Sequence, residues 1–322
     1  MTPPPVALVV GGSRGLGLLI AKELTRRGYR VVIASRTEDE LESGLRQLQQ
    51  IRGPAGQAAR QPEKRVCDVR DRESVRRLVD DVETTVGPID TVFTVAGIIQ
   101  VGPAESMTFD HFEDAINTMA WGPINVALTV LPRLRERRRG HIGTVTSIGG
   151  MVSPPHLLPY ATAKFAAVGF SDGLAAELQG TGVTATTIVP GLMRTGSHLR
   201  ARFAGAAEKE FAWFGPAASL PGLSMDAERA ARRMVDAVLA GKPMVMLSPL
   251  THVGVRVHGL LPGTTTRLMG LANRLLPGPA EGSDARTGTI EGREAERRLD
   301  SPIVNALTTW GRRAAQRFNE RP

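Results

Sequence analysis

The segment Val6-Ala7-Leu8-Val9-Val10-Gly11-Gly12-Ser13-Arg14-Gly15-Leu16-Gly17 decides the expected fold. An apolar, β-branched run ends in a glycine-rich turn, and a helical pattern over residues 16–27 follows. Such a turn lets the backbone approach a pyrophosphate, and the start of a helix supplies free N–H groups and a favourable dipole. An ordinary tight turn is the alternative interpretation of this G-x-x-x-G-x-G spacing. Its place between a first strand and a first helix favours nucleotide binding.

Strand and helix patterns alternate over the first 190 residues. Further β-branched runs occur at residues 31–35, 64–69, 92–95, 142–146 and 183–189, with helical stretches between them. Strands that are separated by helices pair in parallel and are covered on both faces. The chain therefore predicts an α/β fold, a Rossmann-like, doubly wound parallel sheet within a domain over residues 1–250.

The composition is that of a globular protein and excludes a disordered or fibrous chain. Of 322 residues, 42% are hydrophobic and 22% are charged. Cys67 is the single cysteine, so the chain has no intrachain disulfide and no cysteine cluster for a metal. We expect a reducing, cytoplasmic setting and no metal site. We also expect no signal peptide and no membrane span, because no run of about 18 residues is apolar enough.

Basic residues outnumber acidic residues and give a formal net charge of +8. The densest group of arginines, at positions 133–139, lies at a predicted helix end, where cations favour the helix dipole. Aromatic residues make up only 4% of the chain, so no platform for stacking bases accompanies the charge. We therefore expect no nucleic-acid partner, and a phosphorylated cofactor accounts for some of the basic residues.

The second predicted strand ends in Ala34-Ser35-Arg36. A carboxylate at this point would bind the ribose hydroxyls of NAD and would repel a 2′-phosphate. A hydroxyl and a guanidinium stand there instead, and Arg14 lies in the preceding loop. Because an arginine fork suits phosphate geometry, the sequence favours NADP(H) over NAD(H). A solvated surface side chain is the alternative interpretation of Arg36.

Tyr160 and Lys164 are four residues apart, which stacks them on one face of a predicted helix. A phenol is a weak acid–base group at its ordinary pKa of about 10, and a neighbouring ammonium lowers that pKa. Ser147 follows a predicted strand directly, where its hydroxyl could hold a substrate oxygen. These three residues are the catalytic candidates. A surface tyrosine and lysine on an amphipathic helix is the alternative.

Together these features resemble the classical short-chain dehydrogenase/reductase family from about residue 6 to residue 247. The ordered motifs are Gly11-x-x-x-Gly15-x-Gly17, Cys67-Asp68-Val69, Ala96-Gly97, Ser147, Tyr160-x-x-x-Lys164 and Pro190-Gly191-x-x-x-Thr195. The resemblance implies hydride transfer between NADP and a small-molecule carbonyl or secondary alcohol substrate. It also implies a homo-oligomer.

The resemblance assigns roles to individual residues. Tyr160 is implied as the general acid or base, Ser147 as the donor to the substrate oxygen, and Lys164 as the modulator of the tyrosine pKa. The implied cofactor contacts are Gly11, Ser13, Arg14, Gly15, Leu16, Gly17, Ser35, Arg36, Asp68, Val69, Ala96, Gly97, Tyr160, Lys164, Pro190, Gly191 and Thr195.

Several positions depart from the family pattern. Val10 stands where Thr is usual, and Thr94-Val95 stand where two Asn usually precede Ala-Gly. Counting back from Gly122 places Met119 where the family has a catalytic Asn, and Asn117 lies about 200° away around the helix. These losses keep a second hypothesis open, in which a degenerate member binds NADP(H) as a sensor or interaction module with little or no turnover.

A substrate lid is predicted over residues 192–225, where the pattern is irregular. Its aromatic residues are Phe203, Phe211, Trp213 and Phe214. They either line an apolar pocket for a lipophilic substrate or pack the lid itself.

Three further segments follow the last predicted strand, Met244–Leu247. Residues 251–277 are an apolar and basic extension, and the polar, glycine-rich residues 278–302 predict a flexible linker. Residues 303–318 predict one amphipathic helix with Ile303, Leu307, Trp310, Ala314 and Phe318 on one face. That helix either docks on protein or makes peripheral contact with an anionic membrane surface.

Overall fold

The computed structural model describes residues 3–53, 61–279 and 288–320. The central sheet contains β1 Val6–Val10, β2 Arg30–Ser35, β3 Glu63–Val66, β4 Ile89–Thr94, β6 Gly140–Val145, β7 Val183–Val189 and β11 Met244–Met246. These strands are parallel and lie in the order β11-β7-β6-β4-β1-β2-β3. The short strands are β5 Gln100–Val101, β8 Met193–Arg194, β9 Arg202–Phe203, β10 Met225–Asp226 and β12 Ile290–Glu291.

The helices of the first 240 residues are α1 Gly15–Arg26, α2 Glu38–Gln49, α3 Arg72–Asp81, α4 Phe109–Ile116, α5 Gly122–Arg137, α6 Leu158–Glu177, α7 Ser197–Arg200, α8 Ala207–Ser219 and α9 Ala227–Leu239. The later helices are α10 Pro249–Leu260, α11 Pro262–Asn273, α12 Gly292–Leu299, α13 Pro302–Leu307 and α14 Thr309–Arg317. π-Helical turns follow α3 and α4, at Val82–Val86 and Asn117–Trp121.

The strand order reverses beside β1. The chain first builds outward through β2 and β3, and then places β4, β6, β7 and β11 on the other side of β1. The loops that leave β1 and β4 therefore diverge, and open α/β sheets bind their ligands in the crevice at such a point. This arrangement confirms the predicted doubly wound sheet.

Helices cover both faces of the sheet, which explains why its central strands are almost wholly apolar. All five residues of β1 are buried. One face packs against α3, α5 and α6 through residues that include Val75, Val130 and Leu174. The other face packs against α1 and α9 through residues that include Leu18 and Met234.

The predicted lid is more regular than its sequence pattern indicates. Residues 192–225 contain α7 and the 13-residue helix α8, together with β8 and β9. Gly215 and Pro216 lie inside the last turns of α8 and obscure its helical pattern. Phe211 and Phe214 are nevertheless buried on one side of this helix, so tertiary packing stabilises it.

The predicted flexible linker over residues 278–302 is wrong where the structure describes it, and residues 280–287 lie outside the described part. β12 pairs antiparallel with β9, and α12 packs against α8. The polar composition of α12 reflects ion pairs of Glu294 with Arg297 and Arg298, whose spacings of three and four residues support a helix. Gly292 permits close packing, because a Cβ there would lie 1.9 Å from the carbonyl oxygen of His198.

The single amphipathic helix predicted over residues 303–318 is in fact the two helices α13 and α14. They meet at Thr308, whose buried hydroxyl donates a hydrogen bond to the carbonyl oxygen of Val304 at 3.0 Å. Ile303 and Trp310 are exposed, whereas Phe318 is buried against the domain. The predicted apolar face therefore does not form one buried surface.

The apolar extension forms a helical hairpin from α10 and α11. Of these two helices, only Thr251 and Thr265 are buried. Across residues 3–53, 61–279 and 288–320, no helix is long and apolar enough to cross a membrane.

Candidate active site

A cavity of ≈ 690 Å³ is lined by the residues that follow β1, β4, β6 and β7. It brings together every candidate site residue from the sequence except Gly15. The candidates on its wall are Gly11, Ser13, Arg14, Leu16, Gly17, Ser35, Arg36, Asp68, Val69, Ala96, Gly97, Ser147, Tyr160, Lys164, Pro190, Gly191 and Thr195.

Close backbone contacts shape the glycine-rich turn. Gly11 has a φ of +87°, and a Cβ there would lie 2.4 Å from the backbone nitrogen of Ala96. A Cβ on Gly17 would lie 1.9 Å from the carbonyl oxygen of Gly11. Side chains are therefore excluded at Gly11 and Gly17, which keeps the turn as compact as a pyrophosphate-binding turn requires. Gly15 is engaged differently, because its N–H donates a hydrogen bond to the carbonyl oxygen of Phe318 at 2.7 Å.

Charged groups line the wall beyond this turn. Oε1 of Glu40 accepts from Arg14 at 2.9 Å and from Arg200 at 3.1 Å. Arg36 also lines the cavity and is exposed. The hydroxyl of Ser35 is buried and has no hydrogen-bond partner among the described residues. An orphaned hydroxyl, three guanidinium groups and a glycine-rich turn fit a phosphorylated dinucleotide.

Tyr160 and Lys164 lie on the first turns of α6, and Ser147 follows β6. The Ser147 hydroxyl accepts a hydrogen bond from the N–H of Gly149 at 3.0 Å. The Nζ of Lys164 donates to the carbonyl oxygen of Val145 at 2.8 Å and lies 5.9 Å from the centre of the Tyr160 ring. The fold thus holds all three side chains at one wall of the cavity.

Burial shifts the pKa values of Tyr160 and Lys164. It raises the pKa of Tyr160, and a hydrogen bond with Ser147 opposes that effect only in part. It also lowers the pKa of Lys164 to about 8. The sequence predicts an ammonium that lowers the phenol pKa below its ordinary value, and this prediction is wrong for the structure, because burial penalises the charged form of both groups.

The π-helical turn after α4 decides between Met119 and Asn117. Met119 is 1% exposed and lines the cavity, whereas Asn117 is exposed on the other side of the turn. Met119 packs in a small cluster with Ala163 and the ring of Tyr160. None of the described residues that line the cavity is Asn or Gln, and Thr118, the residue before Met119, has a buried hydroxyl without a partner in the described ranges.

Sequence reasoning missed several residues of this wall. Glu40 lies in the first turn of α2, and Arg200 ends α7. Glu320 is buried 305 positions after Gly15, and a Cβ on Gly15 would lie 2.1 Å from its Oε1. The acidic start of α2 was a usable signal for Glu40. No local pattern marks Arg200 or Glu320, because only the fold brings them to the turn.

The lid aromatics divide between the two roles that the sequence leaves open. Phe203 and Phe211 are fully buried within the lid, with ring centres 5.6 Å apart. Trp213 and Phe214 line the cavity. The Nε1 of Trp213 donates to Glu210 at 2.8 Å, and Glu210 also binds the buried His156 at 2.8 Å.

The chain is similar in sequence to known proteins. The sequence model of the family described as short chain dehydrogenase matches residues 5–202. The 3-ketodihydrosphingosine reductase of Bacteroides thetaiotaomicron is 31% identical over 193 residues, which are 60% of this chain and 65% of that protein. The C alpha-dehydrogenase of a Sphingobium species is 31% identical over 187 residues, 58% of this chain and 59% of that protein. The chain thus covers less than two thirds of either relative.

Solved structures show the same fold. A variant of actinorhodin polyketide ketoreductase, solved with NADPH, matches with a TM-score of 0.66 and 26% identity over 78% of this chain and 99% of that chain. A short-chain dehydrogenase from Streptomyces avermitilis matches with a TM-score of 0.69 and 25% identity, over 85% of this chain and 99% of that chain. Both similarities extend over more than three quarters of the protein.

Proposed function

Since the chain belongs to the short-chain dehydrogenase family, we propose that it is an NADP-dependent oxidoreductase that interconverts a carbonyl and a secondary alcohol. The observation that carries this proposal is the grouping of Ser147, Tyr160 and Lys164 on the cavity that the glycine-rich turn also lines. Hydride transfer and proton transfer act on the carbon and oxygen of one carbonyl group. The cofactor site and the three side chains must therefore lie next to each other.

Tyr160 is the proton donor to the carbonyl oxygen in the reducing direction. Its phenol is protonated at neutral pH even at the ordinary pKa of about 10, as a donor requires, and burial raises that pKa further. Ser147 holds the substrate oxygen beside that phenol. Lys164 is anchored on the carbonyl oxygen of Val145 and keeps its other ammonium protons for a ribose hydroxyl of the cofactor. When bound, the dinucleotide supplies or accepts the hydride.

The NADP preference rests on the basic wall. Arg36 and the hydroxyl of Ser35 would hold the 2′-phosphate, with Arg14 beside them. Glu40 neutralises part of the charge of Arg14 and Arg200 and holds both guanidinium groups in position. The glycine-rich turn would take the pyrophosphate at Gly11 and Gly17, because the N–H of Gly15, at the start of α1, is already bonded to the carbonyl oxygen of Phe318.

The substrate we propose is a ketone, or the matching alcohol, with an apolar portion. Trp213 and Phe214 line the cavity, together with the exposed side chains of Leu192 and Leu223. Relatives that are named as a 3-ketodihydrosphingosine reductase and a polyketide ketoreductase support a carbonyl substrate.

The test is NADPH oxidation with a panel of ketones that differ in the length of their apolar chain. Tyr160→Phe removes only the hydroxyl and is expected to lower turnover by about 10²–10⁴-fold while NADPH binding persists. NADPH binding without turnover of any panel member, in either direction, would favour the sensor alternative. The absence of an amide at Met119 is the observation that keeps that alternative open.

A further inference from the structure

The hairpin of α10 and α11 exposes an unusual number of large apolar side chains. They are Leu250, Val253, Val257, Leu260, Leu261, Leu268, Leu271 and Leu275. Leu260 is 81% exposed and Leu275 is 87% exposed. Single exposed apolar residues are normal on a protein surface, but a contiguous group of this size marks an interaction surface.

The hairpin has little support from the rest of the protein. Each of its helices has 12 residues, and only one residue of each is buried. Isolated helices of this length are marginal in water. A Cβ on Gly259, Gly263 or Gly270 would meet nothing within 4 Å, so these glycines do not serve close packing. The hairpin therefore needs an external surface to stabilise it.

The apolar residues form stripes. On α10, Leu250, Val253, Val257 and Leu260 recur at intervals of three and four residues, which is the period of one helix face. On α11, Leu268 and Leu271 repeat the pattern, and Leu275 extends it past the helix end. Such stripes are typical of helices that lie at a membrane–water interface, with their axes parallel to the membrane plane.

The positive charge of the hairpin indicates which kind of surface it binds. Arg256, Arg267 and Arg274 lie among the apolar residues, and no Asp or Glu occurs from Ser248 to Ala280, although the chain has 32 acidic residues. In a symmetric contact between two such hairpins, these arginines would find no carboxylate on the partner hairpin. On an anionic bilayer they would face phosphates, while their aliphatic stems stay with the apolar stripe.

The apolar surface continues into the cavity. Leu250 and Thr251 of α10 line it, and so do the exposed Leu192 and Leu223. We infer that the α10–α11 hairpin docks on an anionic lipid bilayer and sets the mouth of the cavity at the membrane surface. An apolar carbonyl substrate then enters from the lipid. This last clause rests on the proposed function, whereas the docking itself does not.

Sedimentation of the full chain with lipid vesicles tests the docking. The vesicles are phosphatidylcholine alone, or phosphatidylcholine with phosphatidylglycerol. The triple variant Val253→Glu, Leu260→Glu, Leu271→Glu is expected to bind both at least about tenfold more weakly, because it places carboxylates on the apolar stripe. The triple variant Arg256→Gln, Arg267→Gln, Arg274→Gln is expected to lose only the preference for anionic vesicles, by roughly fivefold per arginine.

The matched control is Ile303→Glu with Trp310→Glu, which changes exposed apolar residues on α13 and α14. It is expected to leave vesicle binding within about twofold of wild type, because it leaves the hairpin stripe untouched. Wild-type sedimentation by the hairpin variants would overturn the inference. So would an equal loss in the control, or a wild-type chain that ignores vesicles and forms a dimer that the carboxylates dissociate.

Turnover of a water-soluble ketone separates this inference from the proposed function. The hairpin variants are expected to keep it, since none of their changed residues lines the cavity. If no chain turns over any ketone, the proposed function fails while the sedimentation result still stands. Near-ultraviolet circular dichroism shows whether each variant is folded.

Discussion

Met119 places a thioether in the wall of the cavity, next to the ring of Tyr160. It is 1% exposed, and its sulfur lies 3.5 Å from the position of a Cβ on Gly97. A thioether donates no hydrogen bond and accepts one only weakly, so it cannot order a water beside Lys164 or Tyr160. Thr118, the residue before Met119, also lines the cavity and has a hydroxyl without a hydrogen-bond partner among the described residues, so we expect it to take part of that role.

The change Met119→Asn is therefore expected to leave turnover unchanged or to raise it, provided that the amide finds partners. Thr118→Val is expected to lower turnover by up to about tenfold, as a partial loss of proton supply. Steady-state NADPH oxidation measures both. Asn117→Ala is the control, because that side chain is exposed and outside the cavity. Loss of turnover in the control, with folding and cofactor affinity intact, would contradict the placement of Met119.

Cofactor selection also depends on single residues. Wild type is expected to bind NADPH at least about tenfold more tightly than NADH, because charge-assisted hydrogen bonds to a phosphate are worth about 1.5–3 kcal/mol each. The double variant Arg14→Ala, Arg36→Asp is expected to reverse this order. Calorimetric titration measures it, with the exposed Arg46→Ala on α2 as control. Equal affinity of wild type for the two cofactors would rule the preference out.

At the scale of elements, α8 connects residues 192–225 to the segment that precedes α6. Its Glu210 is fully buried and binds His156, which lies four residues before Tyr160. The same carboxylate accepts from Nε1 of Trp213, a side chain on the cavity wall. On its other side, α8 packs against α12 and α14. The segment of residues 192–225 is thus held by a buried polar group as well as by its aromatic core.

Glu210→Ala leaves the side chains of His156 and Trp213 without their partner. The free energy of unfolding is expected to fall by roughly 2–4 kcal/mol, the usual cost of orphaning buried polar groups. KM is expected to rise more than kcat falls, because Trp213 lines the cavity and the catalytic side chains remain. Urea unfolding and steady-state kinetics measure the two effects. Glu208→Ala, on the same helix and partly exposed, is the control, and coincident unfolding curves of the two variants would contradict this role.

At the scale of the whole molecule, residues 318–320 pack against the glycine-rich turn. The carbonyl oxygen of Phe318 accepts from Gly15, and Nδ2 of Asn319 donates to the carbonyl oxygen of Ser13 at 2.9 Å. Glu320 follows, and burial raises the pKa of its carboxyl to about 8 in spite of the nearby arginines. The two ends of the chain therefore form one wall of the site.

The burial of Glu320 predicts that the stability of the protein depends on pH. The carboxyl of Glu320 has a pKa of about 8 in the folded protein and an ordinary value of 4.5, so the folded state binds more protons between these limits. The contribution of this carboxyl to the free energy of unfolding is complete below pH 4.5. It is lost as the pH rises through about 8. From pH 5 to pH 8, the Tm of wild type is expected to fall more steeply than that of Glu320→Gln.

Thermal unfolding at several pH values measures this difference. The exposed Glu177→Gln is the control and is expected to follow wild type. Parallel curves for wild type and Glu320→Gln would show that the buried carboxyl is not linked to folding.

The sequence by itself determined the parallel sheet, the glycine-rich turn and the positions of Ser147, Tyr160 and Lys164. These depend on neighbouring residues, because β-branched runs, glycine spacing and a four-residue helical interval are local patterns. The tertiary structure alone decided the helix within the lid, the folding of residues 290–299, the place of Glu320 and the raised pKa of Tyr160. Each of these depends on burial by residues far away in the chain, and burial sets both helix stability and the cost of a charge.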